Sequence, residues 1–215
     1  TVVDVTAPNV VTQNITVQLD INGQAIITPA QVDNGSTDAC GIASMSLDIN
    51  SFDCTDLNNP VTVTLTATDT SGNSSSATAV VTVVDVIAPQ AITQNINLPL
   101  DASGQASLTV SMIDVGNRDN CGIVSSSLDR TSFDCSDIGA NTVVLTLVDG
   151  SGNTTTANVT VTVQDLIAPT VVTQPHTVYL DANGQASIAV ADIDNGTSDN
   201  CKVSILSLNT TSFSC

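Results

Sequence analysis

The side chains of this sequence that could do chemistry are six cysteines and 21 aspartates; there is no glutamate and only one histidine, His176. The cysteines fall in three couples of constant spacing, Cys40 and Cys54, Cys121 and Cys135, Cys201 and Cys215, each 14 residues apart. No CxxC is present and His176 is remote from every cysteine in sequence, so a zinc centre has little support and disulfides are expected. Six cysteines allow many pairings. The constant spacing makes local bonds the most economical: Cys40–Cys54, Cys121–Cys135 and Cys201–Cys215, each closing the open end of an expected hairpin. A bond across so short a loop contributes about 3 kcal/mol in the chain-entropy account. Free buried thiols in a reducing compartment are the alternative. Regular pairing in a chain with several Asn-X-Ser/Thr triplets favours an oxidising, extracellular setting.

The aspartates stand almost without counter-charge. Arg118, Arg130 and Lys202 are the only bases, and the formal net charge is −18. Nucleic acid is excluded as a partner, because its binders need clustered Lys and Arg to replace counterions. An anionic membrane surface would repel the chain, and no apolar run approaches the ~20 residues of a spanning helix. Asp33, Asp38, Asp69, Asp85, Asp114, Asp119, Asp149, Asp194 and Asp199 fall in Asn- and Gly-rich loops. Such oxygen donors suit Ca2+, which takes roughly six to eight of them. The competing reading makes these residues turn formers that bond their own backbone. Catalysis lacks parts: there is no GxSxG, and the carboxylates recur along the chain, which argues for architecture. An enzyme is not expected.

Recurrence organises the whole chain. Asp4, Asp85 and Asp165 follow one another at 81 and 80 residues, as do Cys40, Cys121 and Cys201. Three copies of one unit result: 1–4 as the tail of a preceding repeat, 5–85, 86–165, and 166–215 as a partial third repeat. The third lacks the counterpart of 136–165, so a longer parent array is expected.

Strand alternation positions the reactive residues. In the second repeat Ile96, Leu98 and Leu100 alternate with polar residues or proline, a turn follows at 101–104, and Leu108, Val110 and Met112 form the next inward row. Residues 122–128 and 131–134 read as a hairpin. A strand at 141–148 leads through Asp149–Asn153 to a last strand with Ala157, Val159, Val161 and Val163 facing inward. Six or seven short strands per 80 residues suit an all-β fold of tandem immunoglobulin-like β-sandwiches.

Three motifs carry a resemblance: the linker Asp85-Val86-Ile87-Ala88-Pro89, the loop Asp119-Asn120-Cys121-Gly122, and the turn Asp69–Asn73 followed by a strand ending in Val83-Val84-Asp85. The unit resembles hyalin-repeat immunoglobulin-like domains, strung in tandem in secreted bacterial surface adhesins. That family often places a Cys-Pro near the start of the unit and a second Cys in its last strand. This sequence has neither, so the family's disulfide topology does not transfer. The resemblance implies extracellular display: non-catalytic stalk or filament repeats, with neighbouring repeats, or like chains in a fibre, as partners. An immunoglobulin-like sandwich would set Asp114, Asp119, Asn120, Asp149 and Asn153 at one pole with Asp85 nearby; in a head-to-tail array the opposite pole of the preceding repeat, with Asp20, Asn22 and Asp48, would meet it, placing Ca2+ at the junctions. The alternative is an adhesive module for a glycan or protein, for which Tyr179 and the Arg118 loop are the residues that break the repeat pattern.

Overall fold

The computed structural model describes residues 2–215. Runs of Val and Thr extend as strands, because β-branched side chains pack well on a pleated surface. The first repeat contains β1 (Ile15–Gln18), β2 (Gln24–Ile26), a helical turn α1 (Pro29–Val32), β3 (Ile42–Leu47), β4 (Ser51–Asp53), β5 (Val61–Asp69) and β6 (Ser74–Val84). One sheet has the order β1-β6-β5-β3, with β1 parallel to β6 and the other pairs antiparallel. β2 pairs antiparallel with β4. Val17 and Leu19, Ile27 and Val32, Phe52, Val63, Leu65, Val81 and Val83 meet in a single core. Burial of each such side chain contributes roughly 1.5–3 kcal/mol.

The second repeat repeats the plan with β7 (Ile96–Pro99), β8 (Gln105–Ser107), α2 (Val110–Ile113), β9 (Ile123–Leu128), β10 (Ser132–Asp134), β11 (Gly139–Asp149) and β12 (Thr154–Gln164). Its sheets have the orders β7-β12-β11-β9 and β10-β8. Residues 166–215 contain β13 (Gln185–Ser187), α3 (Val190–Ile193) and β14 (Ser212–Ser214), with β13 paired to β14. The chain is all-β, and the first two repeats each contain a four-stranded and a two-stranded sheet.

Two expectations are corrected. Residues 122–128 and 131–134 do not pair with each other. β9 belongs to the four-stranded sheet and β10 pairs with β8, so the chain switches sheets where a hairpin was expected. The expected row Leu108, Val110, Met112 breaks after Leu108 into the α2 turn, which buries Ile113 and exposes Met112. A five-residue step from Leu108 to Ile113 needs the compact rise of a helical turn to keep both side chains inward.

Compact packing follows a different division from the sequence repeats. One unit comprises the residues up to Ile92 with Gly116–Ser127 and Thr146–Ala157. The other comprises Thr93–Val115, Leu128–Leu145 and Asn158–Cys215. The loops of the second repeat that carry Asp119, Cys121 and Asp149 thus pack in the same unit as Cys54 and Asp85.

Candidate functional site at the repeat junctions

The disulfides join successive repeats. Cys54 is bonded to Cys121 and Cys135 to Cys201, with Cα separations of 5.4 and 5.3 Å. The expected local bonds Cys40–Cys54, Cys121–Cys135 and Cys201–Cys215 do not form, and Cys40 and Cys215, expected in disulfides, are free and exposed. The sheet switch supplies the reason. Cys40 precedes β3, whose Ile42 pairs with Asp69 just before the turn into β6. Cys54 follows β4 and lies 3.8 Å from the carbonyl oxygen of Gly23, in the turn after β1, where Leu19 N–H donates to Val84 at the other end of β6. The 11 residues of β6 separate the two cysteines, roughly 35 Å of strand. A disulfide tolerates a Cα separation of only about 7 Å.

Each bridge sits in the same cradle. A Cβ on Gly23 would lie 2.7 Å from Cys54 Sγ and 2.8 Å from the carbonyl oxygen of Asn120. At Gly104 the corresponding distances are 2.7 Å to Cys135 Sγ and 2.8 Å to the carbonyl of Asn200. Only glycine admits this approach, and both residues have the positive φ (72° and 74°) that L side chains avoid. The Asn120 amide donates to the Asp20 carbonyl (3.2 Å) and to Asp85 Oδ1 (3.1 Å). Asn200 repeats the first of these bonds, to the Asp101 carbonyl at 3.1 Å. The Asp20 turn therefore does meet the Asp119 loop, as expected. Asp48 is elsewhere: its carboxylate accepts from Thr64 N–H in the middle of β5.

The aspartates separate into two populations. Carboxylate oxygens of Asp85, Asp119 and Asp149 lie within 4.8 Å of one another, as do those of Asp4, Asp38 and Asp69. Asp69 and Asp149 are 2% exposed and Asp85 5%. Of the residues proposed as ligands from sequence, Asp38, Asp69, Asp85, Asp119 and Asp149 thus come together. Asp33, Asp114 and Asp194 do not join either group: each closes a helical turn with its backbone N–H. Asp33 and Asp194 accept from Ser36 and Thr197 N–H respectively. Asp199 accepts from Cys201 and Lys202 N–H.

Hydrogen bonds set the ionisation of the turn residues. The backbone N–H groups of Gln24 and Asn22 hold the Asp20 carboxyl below its ordinary value, and the Ser36 hydroxyl does the same for Asp33. Burial pushes Asp69 upward, but the Asn73 amide and the N–H groups of Asn73, Ser71 and Gly72 outweigh it, leaving the group below its ordinary value. Asp4 beside the free thiol of Cys40 pushes that thiol up, which disfavours the reactive thiolate.

No family model and no curated protein matches the chain. Solved structures do. Cadherin domains 1–4 of protocadherin gamma B7 are similar at 12% identity over 84% of this chain and 57% of that one, TM-score 0.33. Domains 3–5 of Drosophila OTK match at 12% identity over 73% and 62%, TM-score 0.35. The N-terminal four Ig domains of Dscam1 match at 8% identity over 74% and 45%, TM-score 0.37. The chain spans less than two thirds of each of these three.

Two acidic clusters without counter-charge need a chemical explanation. Among the described residues the one ion pair joins Arg130 to Asp137, neither of which belongs to a cluster. Arg118, next to Asp119, donates instead to Gln90. Two carboxylates about 4.8 Å apart repel by roughly 3–4 kcal/mol at an effective dielectric near 20. The sequence held a signal for the clusters that turn chemistry obscures. Asp69 and Asp149 continue the inward rows Val63-Leu65-Ala67 and Val143-Leu145-Leu147, and Asp85 continues Val81-Val83. A carboxylate at the inward register is a buried carboxylate. Asp4, the counterpart of Asp85, could have been added by the repeat spacing alone. Gly23, Gly104 and Gly184 were also legible, as the glycine of an Asp-X-X-Gly-Gln-Ala turn repeated in every copy.

Proposed function

We propose that the chain is a run of non-catalytic spacer repeats from an extracellular surface protein, with modules at 5–85, 86–165 and from 166 onward. One observation carries this reading: the bridges chain each repeat to the next. Local bonds would stiffen single modules and leave every linker to bear load alone. With the observed bonds, a pull enters the second repeat at Cys121 and leaves it at Cys135. Only 14 residues lie on that path, roughly 50 Å when fully extended. The rest of the repeat is held in closed loops spanning 67 and 66 residues. A module could then unfold without the array lengthening much. The disulfides support an oxidising compartment, and the hyalin-repeat resemblance supports the stalk of a surface adhesin. The net charge of −18 keeps neighbouring stalks apart.

Single-molecule pulling on the full chain through its termini tests this. The oxidised chain should stop extending well short of its contour length. Adding reductant should release roughly 230 Å more for each opened bridge. Equal extension in both states would refute the reading.

A binding role rests on a different observation. Tyr179 is 88% exposed and occupies the register of Gln18 and Pro99, which both face outward in their repeats. An exposed aromatic is a common glycan or protein contact. A glycan-array signal abolished by Tyr179→Ala would favour that role over a pure spacer.

A further inference from the structure

We propose that Asp85, Asp119 and Asp149, joined by the side-chain oxygen of Asn120, form a Ca2+ site between the linker and two loops of the second repeat. The three carboxylates converge within 4.8 Å. A cluster of this kind can persist through local hydrogen bonds alone, so the decisive observation is what those bonds leave over. Asp85 Oδ1 accepts from Ile87 N–H and the Asn120 amide. Asp119 Oδ1 accepts from Cys121 and Gly122 N–H, and Asp149 Oδ1 from Ser151 and Asn153 N–H. In each residue the first oxygen is used to shape the backbone. The second oxygens of Asp85 and Asp119, and the Asn120 Oδ1, are buried with no donor. Asp149 Oδ2 receives one donor, the Asn153 amide, at 2.8 Å and keeps a lone pair. Buried acceptors are almost always satisfied, and orphans beside converging carboxylates are placed to receive a cation.

The donor set selects the ion. All the donors are hard oxygens, with no imidazole or thiolate among them, which suits Ca2+ or Mg2+ over transition metals. Irregular donors from three separate segments, with few places left for water in a buried site, fit Ca2+ better than the octahedral, water-retaining Mg2+. The ion would tie the linker (Asp85), the loop before the bridged cysteine (Asp119, Asn120) and the β11–β12 turn (Asp149). Asp4, Asp38 and Asp69 form a second carboxylate group in which Asp4 Oδ2 is also buried and unpaired, but Ala39 stands there in place of Asn120.

Calorimetric titration of CaCl2 into the chelator-treated, oxidised full chain tests the site. Saturable binding is expected at or below roughly millimolar Ca2+, with Mg2+ clearly weaker. Asp149→Asn should weaken Ca2+ binding at this site by roughly tenfold or more. Asp181→Asn, in a turn with the same backbone bonds, should leave it unchanged. If Asp149→Asn does not fold, Asp119→Asn, on a partly exposed loop, gives the same readout. No binding by the unaltered chain, or binding that both variants leave intact, would overturn the proposal; equal affinity for Mg2+ would overturn the assignment to Ca2+. The extension of the oxidised chain under force depends on the bridges, so a failed titration leaves the spacer reading standing, and the converse holds.

Discussion

The loop around Cys40 and its copy around Cys121 differ at the residue before the cysteine. The first reads Asp38-Ala39-Cys40, the second Asp119-Asn120-Cys121. Asp38 and Asp119 do the same local work, each accepting from the N–H of its cysteine at 2.8 and 2.9 Å. What differs is the reach outward. Asn120 holds the Asp20 turn and Asp85 and carries an orphan oxygen, whereas Ala39 can do none of this. Cys121 is bridged and Cys40 is free. Each carboxylate cluster draws one aspartate from the end of the preceding repeat and two from the next, and the junction at Asn120 adds the bridge, the glycine cradle and the asparagine amide.

The comparison breaks most sharply at the cysteines. Replacing Cys54 and Cys121 together by serine should cost about 4 kcal/mol for a loop of this length, read from denaturant midpoints under oxidising conditions. Cys40→Ser should cost almost nothing. Similar losses for the two would mean that the first loop takes part in a bridge after all.

A smaller loss is expected in the cradle. Gly23→Ala meets two atoms closer than 3 Å, while Gly35→Ala, at φ +89°, meets nothing within 4 Å. The second should carry only the left-handed backbone penalty of about 1–2 kcal/mol. The first adds an overpacking cost of roughly 1–3 kcal/mol and should lower the yield of the Cys54–Cys121 bridge in non-reducing peptide maps. Equal yields for the two variants would show that the close approach of the Asn120 carbonyl does not matter.

The finest distinction is the amide itself. Asn120→Ala gives the second loop the residue of the first and removes two hydrogen bonds, for a loss of about 1–2 kcal/mol. The melting temperature should fall in the oxidised chain. No fall would mean that the bridge alone fixes the junction.

Much of this was legible in residue order. The inward rows Leu98-Leu100 and Val159-Val161-Val163 are buried as the alternation requires. The Asp101 turn closes on Ser103 and Gln105 N–H as an aspartate turn should. Asp33 and Asp194 accept from backbone N–H groups of their own loops, as turn chemistry leads one to expect. The bonding partners of the cysteines were not legible. Constant spacing suggested a hairpin, and β3 and β4 instead enter different sheets, carrying Cys40 and Cys54 to opposite ends of β6. The sandwich reading set Asp119 and Asp149 at one pole beside Asp85, but not within 4.8 Å and not in a buried space.

Alternation, turn chemistry and repeat length depend on neighbours a few residues apart, so the amino-acid order determined the strands, most of the turns and the modular plan. Which strand ends face each other depends on sheet order, which sums contacts across dozens of residues. Tertiary structure alone therefore decided that the cysteines link one repeat to the next, and how closely three carboxylates from distant segments approach in a buried space.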